Sequence, residues 1–487
     1  MNNHKRFFLT ALVLVSIFST PVIARKPAGS DPIEQASARL AASILVHGRS
    51  MDYLKGLTEQ FGGRLTGTTA YNRSAEWAAE QFRAAGIKNV KLEPWTMPNG
   101  WDRGPAHGRM TSPLDRPIHI ESLGWAPSTP SGGVKAEVIM FSELAPEKIK
   151  SQADKLRGRA VMLDLASIFA DGLGAFAKLI AALPIFREGG VAAMIVSDGE
   201  RNNVLNAFGF TWGGAMSPLP MGQIGMEDGK LIERLLAKGP VTLEFAFENR
   251  TSGPIQVNNV IAEIPGREKP DEWIIVGGHL DSWDYGTGAQ DNGSGCAMVM
   301  EAARAIAALG APRRSIRFAL WGGEEEGLLG SAAYIKAHKA EMRKCVAALN
   351  SDNGAGHPKG WKVQGRSDLN DAMKSISGLL AGLSGDGLSQ QTTFDTDHGH
   401  FMLEGIPALD LWVDMAHYGE VHHKSSDTID KVDAHNLASG AAIVAITTYA
   451  IGEKAEPITR HLDHAAVGEI LKKAKLDEFL KAIDIWK

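Results

Sequence analysis

A chain of 487 residues with 44% apolar and 22% charged content is long enough for two or more packed units, and no disorder signature dominates it. Its net charge of −5 argues against a nucleic-acid partner. Only two cysteines are present, Cys296 and Cys345; their expected state is burial as small apolar side chains, with a disulfide as the alternative.

Residues 1–24 read as an export signal: Lys5 and Arg6, an apolar run from Phe7 to Phe18, then Val22-Ile23-Ala24 at the cut. That run is too short for a spanning helix, and no later segment reaches eighteen uninterrupted apolar residues. The expected product is an exported protein, periplasmic or secreted, with no membrane partner after cleavage; an uncleaved anchor is the alternative. Within residues 25–127, Asp31 to Val46 and Tyr71 to Ala85 are predicted helices. In the second, Ala75, Ala78, Ala79 and Phe82 share one face and Gly86 is a stop signal, so it should pack on the main sheet. Pro94 to Pro113 reads as irregular connection.

Across residues 128–254 the texture changes to short β-like runs, VKAEVIMF, GRAVMLDL, VAAMIVSD and VTLEFAF, none with a ligand-like cluster. A β-rich insert covering the mouth of a site and restricting substrate length is the expectation, since long insertions near sites are commonly lids; an elaboration of the main domain is the alternative. Residues 255–455 alternate strand-like and helix-like segments, ending in a helix from Ala434 to Ile451. Residues 456–487 contain EILKKAKLDEFLKAIDIW, an amphipathic helix with Leu471, Leu476, Phe479, Leu480 and Ile483 as apolar positions. It should pack on its own domain, a homodimer contact being the other use.

Five metal-ligand side chains follow apolar runs within 255–455: His279, Asp291, Glu325, Asp352 and His423. Their spacing is too uneven for one local metal loop and suits separate strand ends, the edge of an α/β sheet where loops converge. Imidazole with carboxylates and no cysteine suits catalytic Zn²⁺ with an open position. Five ligands exceed the three that one catalytic zinc takes, so two ions sharing a carboxylate is the economical arrangement, with Asp291 as the bridge. Asp281 is placed to accept the other N–H of His279 and fix its tautomer. Glu324, beside a ligand but left over, is a candidate general base. Other chemistries lack their motifs: GTGAQD misses the third glycine of a dinucleotide fingerprint, and no GxxxxGK[ST], GxSxG or HExxH occurs.

Taken in order, HLDSWD, GAQDNGSG, WGGEEEGLLGS, SDNGAG and HHKSSDT resemble the successive site motifs of the di-zinc peptidase family that includes leucyl-type aminopeptidases, glutamate carboxypeptidase and carboxypeptidase Q. The carboxypeptidase Q branch is nearest, and the resemblance runs from about Val257 to Ile451. It implies a mixed, largely parallel sheet flanked by helices, with the 128–254 insert as a protease-associated domain. It also implies two Zn²⁺ per chain, one on His279, Asp291 and Asp352, the other on Asp291, Glu325 and His423, with Glu324 as general base. The Asp427-Thr428 pair selects His423 over His422 as ligand. His422, Asp397 and His398 are then substrate-facing candidates; His422 stands where some relatives carry an oxyanion-binding tyrosine, and His400 where a proline is common. The implied activity is zinc-dependent exopeptidase cleavage of short peptides, as a dipeptidase or carboxypeptidase, with an aminopeptidase as the close alternative. A one-zinc glutaminyl cyclase of the same fold and a catalytically silent binding homologue are the rivals; metal content and a peptide-cleavage assay separate them.

Overall fold

A computed structural model describes residues 31–141, 143–165, 173–197, 201–211 and 213–487, with backbone only at 173–177. The expected export signal at 1–24 lies outside the described residues. The chain builds a mixed α/β fold on two eight-stranded sheets and a small two-stranded one.

The first large sheet runs in the order Asn89–Met97, Ile255–Ile264, Arg314–Trp321, Lys269–His279, Cys345–Asn350, Ala408–Val413, Pro358–Lys362, Gly387–Ser389. Its four central strands, from Arg314–Trp321 to Ala408–Val413, are mutually parallel, and antiparallel pairings flank them. Parallel strands covered on both faces read as continuous apolar runs, and Trp273 to Val276 shows why. Ile274 and Val276 enter the core beneath helices Ser294–Leu309 and Ala434–Glu453, while Trp273 and Ile275 enter a smaller core with Tyr334, Phe401 and Ile406. Ala434–Glu453 is the one described helix long and apolar enough to cross a membrane, and 72% of that window is buried within the protein, as befits a core helix.

Helix Thr69–Ala84 starts where the hydroxyl of Thr68 accepts the Tyr71 N–H, and its predicted face, Ala75, Ala78, Ala79 and Phe82, is buried. Pro32–His47 likewise falls within a residue of expectation, with Asp31 capping it. Cys296 and Cys345 are both buried and free.

Four expectations are corrected. Residues 94–113 are not an irregular connection: Asn89–Met97, Gly100–Asp102 and Ala106–Ser112 are strands. Asn89–Met97 is an edge strand, so its outer side needs no partner, and Pro94 is tolerated there. The second large sheet draws its strands from Ala106 to Phe247, so the expected start at 128 falls inside it. Nor is this unit simply β-rich: Val134–Phe141, Ala160–Asp164, Ala193–Ser197 and Met221–Ile224 pair in parallel, with helices Leu173–Glu188 and Met226–Leu236 alongside. Finally, the C-terminal helix is two helices, His464–Ala474 and Asp477–Ala482, broken where Lys475 adopts φ 59°.

One close approach fixes the loop that follows Lys269–His279. At Gly295 a Cβ atom would stand 2.0 Å from the main-chain oxygen of Ser351 and 2.3 Å from Oδ1 of Asn292, so the helix start and the end of Cys345–Asn350 touch through backbone. Gly295→Ala is therefore expected to destabilise the fold by about 3 kcal/mol, the upper end of overpacking costs. A lowered urea midpoint checks this, and an unchanged midpoint contradicts it.

Candidate metal centre and active site

The carboxyl ends of the parallel strands bring all five expected ligands together. His279 is the last residue of its strand, Glu325 follows Trp321, Asp352 follows Asn350, and His423 closes a loop after Val413. His279 Nε2 lies 3.1 Å from Asp291 Oδ1 and 3.1 Å from Asp352 Oδ1. His423 Nε2 lies 3.3 Å from Asp291 Oδ2 and 3.0 Å from Glu325 Oε2. The two oxygens of Asp291 thus face the two histidines separately, as a bridging carboxylate requires.

These distances test whether a metal fits. Ligands about 2.0–2.1 Å from a tetrahedral Zn²⁺ stand about 3.3 Å from one another, and all four measured pairs fall near that edge length. The charge inventory agrees. Burial, with Asp352 and Glu325 close by, raises Glu324 well above the carboxylate range despite the opposing pull of His279. Burial also lifts Asp352 to about 7 and Asp397 to about 8. Against its own burial, Asp291 is held well below the usual range by His279 and His423, while His423 is carried to about 10 by Glu325 and Asp291. So many acids around two imidazoles resist ionising together, and a divalent cation removes that conflict.

The loops bearing the ligands are cross-tied. Asp427 accepts the main-chain N–H groups of Gln290, at 2.7 Å, and Asp291, at 3.1 Å, joining the His423 loop to the candidate bridging residue. Asn292 donates to the Ser351 carbonyl, and the Cys296 thiol to that of His279. Beneath them the buried Arg64 guanidinium donates to the carbonyls of Gly62, Leu280, Thr287 and Gly288.

Glu324 lies beside the centre, its Oε2 3.9 Å from His279 Nε2. Asp281 does not do quite what was expected. His279 Nδ1 faces its main-chain oxygen at 3.0 Å, whereas the carboxylate is 3.6 Å away and accepts the Thr66 hydroxyl and the Glu325 N–H. The chain turns so sharply after the strand that the carbonyl comes under the ring first. His422 lines the cavity beside the centre, stacked on His423 at 3.8 Å with its Nε2 3.4 Å from Asp291 Oδ2. Burial and His423 lower it to about 4, so its ring is neutral near pH 7.

Asp397 and His398 are not brought to that cavity. Both are about 1% exposed, and His398 points its nitrogens at the Thr396 hydroxyl and the Thr393 carbonyl. Asp395 lines the cavity instead. Of the cations near the motifs in sequence, Arg366 is engaged elsewhere, on Asp368 and the carbonyls of Gly405 and Arg460, whereas Lys424 donates to the Gly419 carbonyl and lines a small cavity with Asp291, Glu325 and His423. Asp395, Tyr418, Leu476 and Phe479 were not anticipated in the cavity wall, nor Arg64 beneath the loops. Arg64 sits 216 residues from Leu280, which it holds, and no local pattern signals such a contact.

The second sheet unit reaches the centre. The Ala207 N–H donates to the His423 carbonyl at 2.7 Å, and the Gly213 N–H to that of Glu326 at 2.9 Å. Arg103 grips Asp284 with two bonds of 2.8 Å, and Trp125 meets Trp283, which in turn meets the ring of His423.

Residues 259–448 match the model of peptidase family M28. Carboxypeptidase Q of Mus musculus is 27% identical over 443 residues, covering 89% of this chain and 92% of that protein. The solved peptidase M28 precursor from Shewanella amazonensis superposes with a TM-score of 0.78 at 26% identity, covering 88% of this chain and 99% of that one. A zinc aminopeptidase from Bacillus subtilis shares the fold, with a TM-score of 0.66 at 19% identity over 85% of this chain and 98% of that one. The chain therefore carries a peptidase family M28 domain, homologous over most of its length to carboxypeptidase Q, and is a peptidase.

Proposed function

We propose that the protein is a zinc-dependent exopeptidase acting on short peptides, with two Zn²⁺ per chain. The observation that carries this reading is Asp291, whose two oxygens each face a different histidine with a further carboxylate beside it. His279, Asp291 and Asp352 would hold one ion, and Asp291, Glu325 and His423 the other. When bound, zinc supplies a Lewis acid that polarises the scissile carbonyl and makes water acidic enough to attack near neutral pH. Glu324 takes a proton of the attacking water as its oxygen adds to the carbonyl carbon and the C=O π bond opens; that proton then passes to the amide nitrogen as the carbonyl re-forms and the C–N bond breaks. His422 offers a neutral imidazole N–H to the carbonyl oxygen as it gains charge. Asp281 and Asp427 position ligands rather than react.

Similarity to carboxypeptidase Q along most of the chain supports a dipeptidase or carboxypeptidase. One observation favours the second reading, an aminopeptidase. Among the described residues lining the cavity there is no lysine or arginine to meet a terminal carboxylate, whereas the exposed Asp395 can meet a terminal ammonium. The second sheet unit is read as a protease-associated domain that limits substrate length, supported by its bonds to the loops of His423 and Glu326. Export, from the signal at 1–24, completes the proposal.

Glu324→Gln is expected to keep its zinc while losing roughly 10²- to 10⁴-fold in kcat, the usual contribution of a general base; a fully active variant rejects the assignment. His423→Ala should retain one zinc of two by elemental analysis, and loss of neither ion, or of both, counts against the bridged arrangement. Dipeptides acetylated at the amino end or amidated at the carboxyl end separate the two readings. A dipeptidase or carboxypeptidase should fail on the amidated peptide, whereas full turnover of it, with none of the acetylated one, establishes the aminopeptidase.

A further inference from the structure

A cavity of about 680 Å³ opens directly on the metal-ligand cluster and Glu324, a size suited to a small ligand. One part of its wall is apolar: Leu328, Phe394, Met415, Leu476 and Phe479. Leu476 and Phe479 come from the C-terminal segment 464–487, wholly outside the stretch 259–448 that matches the family model. That segment is seated firmly. Val467, Leu471, Leu480 and Trp486 are buried in one cluster with Leu328, Phe394 and Met402, and Leu476 and Phe479 pack against it. Leu328 closes the loop that carries Glu324, and Phe394 precedes Asp395, so the C-terminal wall is braced against both the candidate base and the cavity rim. Without the break at Lys475, one continuous helix would put Leu471 and Leu480 on opposite faces and could not bury both in one cluster. Instead, Leu471 and Leu480 are fully buried while Leu476 and Phe479 keep surface exposed to the cavity.

We propose that the C-terminal segment is the substrate-selecting wall of the active site, and that Phe479 and Leu476 select peptides bearing an apolar side chain of leucine or phenylalanine size. The inference rests on the exopeptidase reading for the reaction, but not for the binding. An apolar wall discriminates by buried area, and one methylene more or less in such a pocket is worth roughly tenfold or more.

Two measurements on the full-length zinc-loaded protein test it. In the first, kcat/KM is compared for leucine- and alanine-containing dipeptides. The leucine-to-alanine ratio is expected to fall roughly tenfold in Phe479→Ala, and Leu476→Phe, which narrows the cavity, should shift preference towards alanine. In the second, calorimetry follows free L-leucine and L-alanine binding to the wild type and to Phe479→Ala, with leucine losing its advantage in the variant. Equal ratios in all three proteins overturn the proposal, as does a wild type that binds leucine no better than alanine. A uniform fall in kcat for both peptides with the ratio intact also overturns it, because that marks a structural role only. Calorimetry needs no turnover: a protein that cleaves neither peptide yet still prefers leucine through Phe479 sinks the exopeptidase reading and upholds this one.

Discussion

The constraint on which this structure depends is electrostatic. Asp281, Asp291, Asp352, Glu326 and Asp397 are all nearly buried, Glu324 and Glu325 join them, and Lys424, which lines a small cavity with Asp291, Glu325 and His423, spends a bond on the Gly419 carbonyl. Arg64, at the base of the site, spends its N–H groups on carbonyls, and the buried Lys362 is paired with Asp410 and Asn353. Concentrating carboxylates away from water costs several kcal/mol per unpaired charge. A fold keeps such a cluster when something of high positive charge density occupies it. The parallel strand ends supply the framework, because their backbone hydrogen bonds fix where each ligand-bearing loop starts.

Holding the ligands takes cross-ties between loops rather than any single motif. Asp427 shows the logic: it binds no expected ion, yet its carboxylate caps the main chain at Asp291, so the last motif and the bridging residue are set together. The second sheet unit adds to this, since its loop around Ala207 and Gly213 bonds to the carbonyls of His423 and Glu326. A unit with its own core thus sits within one hydrogen bond of His423, a candidate metal ligand, and of Glu326 beside the candidate ligand Glu325.

That the expected ligands gather could be read in part from the residues alone, because His279, Glu325 and Asp352 stand at or just past the ends of apolar runs, and such runs mark strand ends; Asp291 lies instead in the turn before helix Ser294–Leu309, and His423 in a loop beyond Val413. The helix Thr69–Ala84 was equally readable from its apolar face and its glycine stop. Other parts carried no such mark. Asn89–Met97 looks irregular because an edge strand alternates with solvent and tolerates Pro94. The bend at Lys475 sits in a left-handed conformation that a lysine does not advertise. Asp397 lies near the motifs in sequence, but only tertiary packing decides that its neighbour Asp395 is the acid that faces the cavity. Arg64 and the C-terminal wall are long-range contacts, invisible to any window along the chain.

The central claim is tested most directly by anomalous diffraction at the zinc edge from crystals of active, mature protein. The account predicts two peaks on either side of the Asp291 carboxylate, one bounded by His279 and Asp352 and the other by Glu325 and His423. A fully active crystal form with no anomalous peak at this site, or with peaks bounded by other residues, contradicts it.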